Sequence, residues 1–104
     1  MRVRDNTDRS RFELVEDDEV LGFIDYLVRD GVYWLIHTET TAEGRGIGAA
    51  LVEGALDNLR GRNIPLVPIC PFVVSWLQAH RDRMDQVDRK AWRAHKKQAA
   101  DRED

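Results

Sequence analysis

The stretch Val32-Tyr33-Trp34-Leu35-Ile36-His37-Thr38, followed by a glycine-rich segment and then Ile47-Gly48-Ala49-Ala50-Leu51, contains a change of hydrophobic period. Residues 32–38 have no helical spacing and are apolar on both faces, as expected of a strand inside a sheet. Ile47, Leu51, Ala55 and Leu59 recur every four residues and mark the buried stripe of a helix over 46–60. Between the two, Thr40 to Gly48 is a loop dominated by Gly44, Gly46 and Gly48. Gly61 stands where a left-handed cap closes such a helix. Residues 64–69 (Ile-Pro-Leu-Val-Pro-Ile) then read as a short strand, which its prolines place at an edge. Strand, helix and strand make one βαβ unit with parallel strands and a right-handed crossover.

Working outward, residues 11–16 read as a first strand, Asp17-Asp18 as a turn and residues 19–29 as a second strand rich in β-formers. Asp30-Gly31 is a hairpin dipeptide, so the chain opens as an antiparallel meander. On the other side, Cys70-Pro71 starts a helix carrying Phe72, Val73, Trp76, Leu77 and His80. Proline suits the first helical turn, which puts Cys70 at the N-cap. From Arg81 charges dominate, and the final residues read as a solvated helix. The expected order is β-β-β-α-β-α in an α+β fold, with a domain over 1–88 and a charged tail over 89–104.

With 104 residues the chain holds one domain. A net charge of -3 argues against nucleic acid as the main ligand. No apolar run approaches the roughly 20 residues that span a bilayer, and the stretch beginning Met1-Arg2-Val3-Arg4-Asp5 lacks the apolar core of a signal peptide. The single cysteine, Cys70, has no internal disulfide partner, which points to a reducing cytoplasm.

In a βαβ unit, ligands bind at the carboxyl ends of the strands. Here that edge gathers His37, Thr38, the glycine loop and Cys70. The first amides of a helix lack intrahelical partners, and the dipole adds positive charge, so Gly46 to Ala49 suit a phosphate or pyrophosphate, with Arg45 in reach. A dinucleotide fingerprint fails because the third glycine comes one residue early and no acid follows the next strand; a Walker loop fails for want of Gly-Lys-Ser/Thr. A glycine loop that only caps the helix and allows close packing is the plainer alternative.

Cys70 at a helix start sits where thiols are activated, or else it is a small buried hydrophobe. His37 is either a general base or, the reading favoured here, a core histidine bonded to a carbonyl. His80 is expected to end its helix and meet that helix's carbonyls. His95 is expected in solvent, Asn6 in a turn, and Trp34, Trp76, Phe23 and Phe72 in the core. Trp92 is expected to dock on the domain or on a partner. No Cys/His spacing supports a metal.

Taken whole, the chain resembles the short, cysteine-containing GNAT-like family of about 100 residues. The matching stretches are Asp5-Asn6, Arg11 to Leu14, Gly22-Phe23 with Tyr26, His37-Thr38-Glu39, Glu43 to Gly48, Leu51-Val52, Ala55-Leu56 and Pro68 to Phe72. They cover roughly residues 3–88. Gly46 and Gly48 fill fixed positions of the superfamily's acyl-CoA loop, while Glu43 stands where Arg or Gln is usual. The Thr38–Gly44 loop looks about two residues short, and the tail runs past the usual end.

The resemblance implies a minimal GNAT fold, a mostly antiparallel sheet with helices packed on it and one parallel unit around a coenzyme A cleft. It also implies an N-acetyltransferase using acetyl-CoA and no metal, with Cys70 and His37 as candidate catalytic residues. Thr38, Gly44, Arg45, Gly46, Ile47, Gly48 and Ala49 become candidate cofactor contacts. The acceptor is an unidentified small-molecule or protein amine, and the chain is expected to be a monomer or weak homodimer without a membrane partner. A non-catalytic coenzyme A-binding or protein-interaction module on the same fold is the alternative.

Overall fold

A computed structural model describes residues 1–41 and 46–102. Among them, five strands form one sheet in the order β1-β2-β3-β4-β5: β1 (Arg2–Asn6), β2 (Arg11–Glu16), β3 (Glu19–Arg29), β4 (Val32–Thr40) and β5 (Leu66–Pro68). The first four pair antiparallel, and β4 pairs parallel with β5. Helix α1 (Ile47–Gly61) connects β4 to β5; α2 (Pro71–Ala79), a 3-10 helix (Arg81–Gln86) and α3 (Arg89–Arg102) follow.

The meander turns behave as their residues require. Asp17 and Asp18 have φ of 49° and 65°, and Asp30 and Gly31 have 51° and 75°, the paired left-handed conformations that let two-residue hairpins follow the strand twist. Phe12, Leu14, Ile24, Tyr26, Tyr33 and Leu35 are buried on one face of the sheet together with Ile47, Leu51, Val52, Ala55, Leu56 and Leu59 of α1. The helical stripe read from the sequence is the stripe that packs.

Several expectations change. The sheet starts one strand earlier, since Arg2–Asn6 pairs along the whole of Arg11–Val15. Its inward residues are Val3 and Asp5, and a carboxylate at a core-facing position hides the alternation. Asp5 is held by the hydroxyl of Tyr26, by the hydroxyl of Tyr33 at 3.1 Å and by Arg62 Nη2 at 3.0 Å. This network ties β1 to β3, β4 and the end of α1. Burial and the bond to Asp5 push the Tyr26 hydroxyl far above its usual pKa.

Next, β5 is only three residues long, bounded by Pro65 and ending at Pro68. Then the charged tail, read as a solvated helix, packs on the body, with Trp92 docked on the domain as one of its two expected alternatives. Helix α3 lies against β5, Trp92 is half-buried on the core, and His95 meets the half-buried Trp34 edge-on at 5.8 Å rather than pointing into solvent. Phe72, expected inside, is 45% exposed, and Phe23 is half-buried beneath the Arg11 guanidinium at 4.4 Å.

Candidate functional site

The site lies where β4 and β5 part. Their pairing runs from Tyr33↔Leu66 to Leu35↔Pro68 and closes on one atom: the Leu35 carbonyl oxygen accepts from both Ile69 N–H and Cys70 N–H, each at 2.9 Å. Beyond it, β4 continues to Thr40 along β3 with no β5 residue beside it. The chain after Cys70 turns away into α2, with Pro71 at the first helical position and Cys70 as N-cap. A notch opens between the strands.

A bulge aims the residues around it. On β3, Asp25 faces His37 but Tyr26 faces Leu35, so Ile36 is an extra residue in β4. Side chains alternate along a strand, and one inserted residue reverses the alternation. Leu35 and Thr38, three positions apart, therefore share the α1 face. This is how Thr38 Oγ1 comes within 3.3 Å of Cys70 Sγ, bridging the notch. The buried Cys70 thus has a hydroxyl partner from the opposite strand.

His37, one residue earlier, is on the other face. It is exposed, not a core histidine, and its Nε2 lies 3.4 Å from Glu39 Oε1. Among the described residues no hydrogen bond joins His37 to Cys70. His80 closes α2, with Nδ1 2.8 Å from the Trp76 carbonyl oxygen and its ring stacked on Trp76 at 3.9 Å. Asn6 accepts from Arg9 N–H at 3.3 Å, as its turn position requires, and donates to Glu13 at 3.2 Å.

At the start of α1, Gly46 is the N-cap with φ 67° and ψ 21°; among the described residues no side chain caps the helix, and its first turn holds no acid. The first backbone bond within the helix is Ala50 N–H to the Gly46 carbonyl oxygen, 3.0 Å. The amides of Ile47, Gly48 and Ala49 precede it, where the ladder supplies no partner. A Cβ on Gly48 would come within 2.7 Å of the Phe72 ring. The starts of α1 and α2 are therefore in contact, with the exposed face of Phe72 beside the first turn of α1. Gly44 and Arg45 lie outside the described residues. Among the described residues no group of His, Cys, Asp or Glu could hold a metal ion, and no helix is long and apolar enough to cross a membrane.

Residues 11–87 match the family model of GCN5-related N-acetyltransferases. The chain belongs to this family. The fold agrees: the solution NMR structure of a GCN5-like protein from Staphylococcus aureus superposes with a TM-score of 0.62 at 19% identity, covering 83% of this chain and 86% of that one. No curated protein matches the sequence. In this family member, strand β1 and helix α3 fall outside the matched segment.

The left-handed Gly46 gives a direct check of the helix start. Among the described residues a Cβ at Gly46 has no neighbour within 4 Å, so the cost of Gly46→Ala is conformational. The substitution is expected to lower stability by about 1 kcal/mol and to weaken any anion bound at the first turn. Thermal unfolding with and without coenzyme A measures both.

Proposed function

We propose that the chain transfers an acetyl group from acetyl-CoA to an amine, with the pyrophosphate against the first turn of α1 and the pantetheine arm in the notch between β4 and β5. The observation that carries this reading is the uncapped, acid-free start of α1 next to a strand edge released by its partner. Free amides and the helix dipole favour a dianionic linker. The backbone of β4 beyond Leu35 offers an extended edge to the amides of the arm.

Acetyl-CoA supplies the thioester whose acetyl carbon passes to the amine as the C–S bond breaks and the sulfur takes a proton. Thr38 and Cys70, hydrogen-bonded across the notch, hold a polar hydrogen where the arm ends. They are the groups we assign to orienting the carbonyl and protonating the departing sulfur. Gly46, Ile47, Gly48 and Ala49 are assigned to the phosphates, and Gly44 and Arg45 to the same ligand from the preceding loop. His37, on the other face beside Glu39, is assigned to the acceptor side as a base. The acceptor amine approaches from solvent, and the protein acts in the cytoplasm as a monomer or weak homodimer.

Calorimetry tests the binding half. Coenzyme A is expected to bind at least tenfold more tightly than pantetheine, which lacks the pyrophosphate; tenfold is about 1.4 kcal/mol. No heat at millimolar coenzyme A overturns the reading. For the chemistry, Cys70→Ala is expected to retain coenzyme A binding while acetyl transfer to a panel of amines falls. Transfer unchanged in Cys70→Ala removes Cys70 from the mechanism and leaves the binding site standing.

A further inference from the structure

Away from the notch, α2, the 3-10 helix and α3 enclose a groove of about 460 Å³ lined by Val74, Gln78, Arg81, Met84, Arg89, Trp92, Arg93 and Lys96. Its shape follows from helical spacing. Val74, Gln78 and Arg81 follow one line down and past α2, and Arg89, Arg93 and Lys96 form the i, i+4, i+7 line of α3 facing it. Half-buried Val74, Met84 and Trp92 make an apolar floor, and the exposed Arg81, Arg89, Arg93 and Lys96 make the rim.

The charge of this groove is out of keeping with the molecule. The chain has 16 Lys and Arg against 19 Asp and Glu, yet the groove lining holds four cations and no acid. Elsewhere five arginines meet carboxylates: Arg4 and Arg11 on Glu13, Arg60 on Asp85, Arg62 on Asp5 and Arg83 on Asp57. Among the described residues none of Arg81, Arg89, Arg93 or Lys96 meets a carboxylate, and Lys96 only covers the Trp92 ring at 3.8 Å. Asp85 is bound to Arg60, and Asp88 caps α3 through the Ala91 N–H at 3.0 Å. Arg89 and Arg93, four apart on α3, are a like-charge pair that repels modestly, and an anion bound at the rim offsets that repulsion.

We propose that this groove docks an acidic peptide segment of a partner protein, with one aliphatic or aromatic side chain on Val74, Met84 and Trp92 and flanking carboxylates on the four cations. Nucleic acid fits less well. The apolar floor of Val74, Met84 and Trp92 has no use for a phosphate backbone. The groove is half built by α3, which lies beyond the family-matched segment 11–87, so the docking is a property of this chain rather than of the fold. It does not depend on acetyl transfer.

The test uses the full chain and a fluorescent library of nonapeptides, each with four fixed Asp or Glu flanking one variable central residue. Saturable binding is expected for members with central Leu, Ile, Phe or Trp, and at least tenfold weaker binding for those with central Ser. The Arg89→Glu/Arg93→Glu variant is expected to lose binding tenfold or more while keeping wild-type coenzyme A affinity and melting profile. Gln78→Glu, placed mid-groove on α2, should weaken the peptide in the same direction and guards against misfolding of α3 in the double variant. Three results overturn the proposal: no library member saturating at millimolar concentration, equal binding of the Ser and apolar members, or tighter binding of a single-stranded dT oligonucleotide than of any peptide.

Discussion

Gly54→Ala is expected to destabilise the protein by about 2 kcal/mol, although alanine is the better helix former. In an open helix the change would gain about 1 kcal/mol. Here a Cβ on Gly54 would stand 2.2 Å from Val3 Cγ2 and 2.7 Å from Val3 Cβ. A side-chain tip can rotate away, but a Cβ moves only with its backbone, so β1 or α1 must shift. Overpacking of this kind costs about 1–3 kcal/mol, on top of the propensity it cancels. The melting temperature should fall by about 10 °C. Val3→Ala in the Gly54→Ala background should recover part of the loss, a coupling that a double-mutant cycle reads directly. Additive losses would show that β1 does not pack on α1 as described.

Glu13→Gln should cost a similar amount, for an electrostatic reason. Glu13 is 1% exposed on the sheet face away from α1. Its Oε1 accepts from Arg4 Nε at 2.8 Å, and its Oε2 accepts from Arg11 Nε at 2.7 Å and from Asn6 Nδ2 at 3.2 Å. Glutamine removes the charge and turns one acceptor into a donor facing donors. Breaking a buried pair costs about 3–5 kcal/mol. Arg4 is partly exposed and can rehydrate, which brings the expected loss to about 2–3 kcal/mol.

Burial alone would raise the Glu13 pKa, but the bonds from Arg11, Arg4 and Asn6 outweigh it and hold the carboxyl below its usual range. A carboxyl with a depressed folded pKa contributes stability above its unfolded value, about 4.3, and loses it as pH falls through the folded value. The gap between wild type and Glu13→Gln in urea unfolding should therefore be full at neutral pH and close in acid. A gap independent of pH would mean that the carboxylate charge carries none of the effect.

What the sequence told, it told through periodicity and turn chemistry. The stripe from Ile47 to Leu59, the Asp30-Gly31 hairpin and the Cys70-Pro71 helix start are local patterns, and each is in place. The hidden parts are long-range. Asp5 gave no sign of a strand because its partners, Tyr26, Tyr33 and Arg62, are distant in sequence, so β1 carried no visible alternation. His37 sat in an apolar run and read as buried, yet the bulge at Ile36 resets the faces and sends it outward. The same bulge turns Thr38 toward Cys70, a meeting that no spacing rule announces. Trp92 was expected to dock, and it packs on the core, whereas His95 lay among charges and read as solvated although its partner is Trp34.

The notch has a further property that follows from covalent structure. After Ile69 and Cys70 have both spent their amide hydrogens on one oxygen, the next residue is Pro71, which has no hydrogen to give. Thermal motion cannot zip the two strands any further, whatever the packing does. A guest of extended shape entering there meets a strand edge beside which no residue of β5 lies.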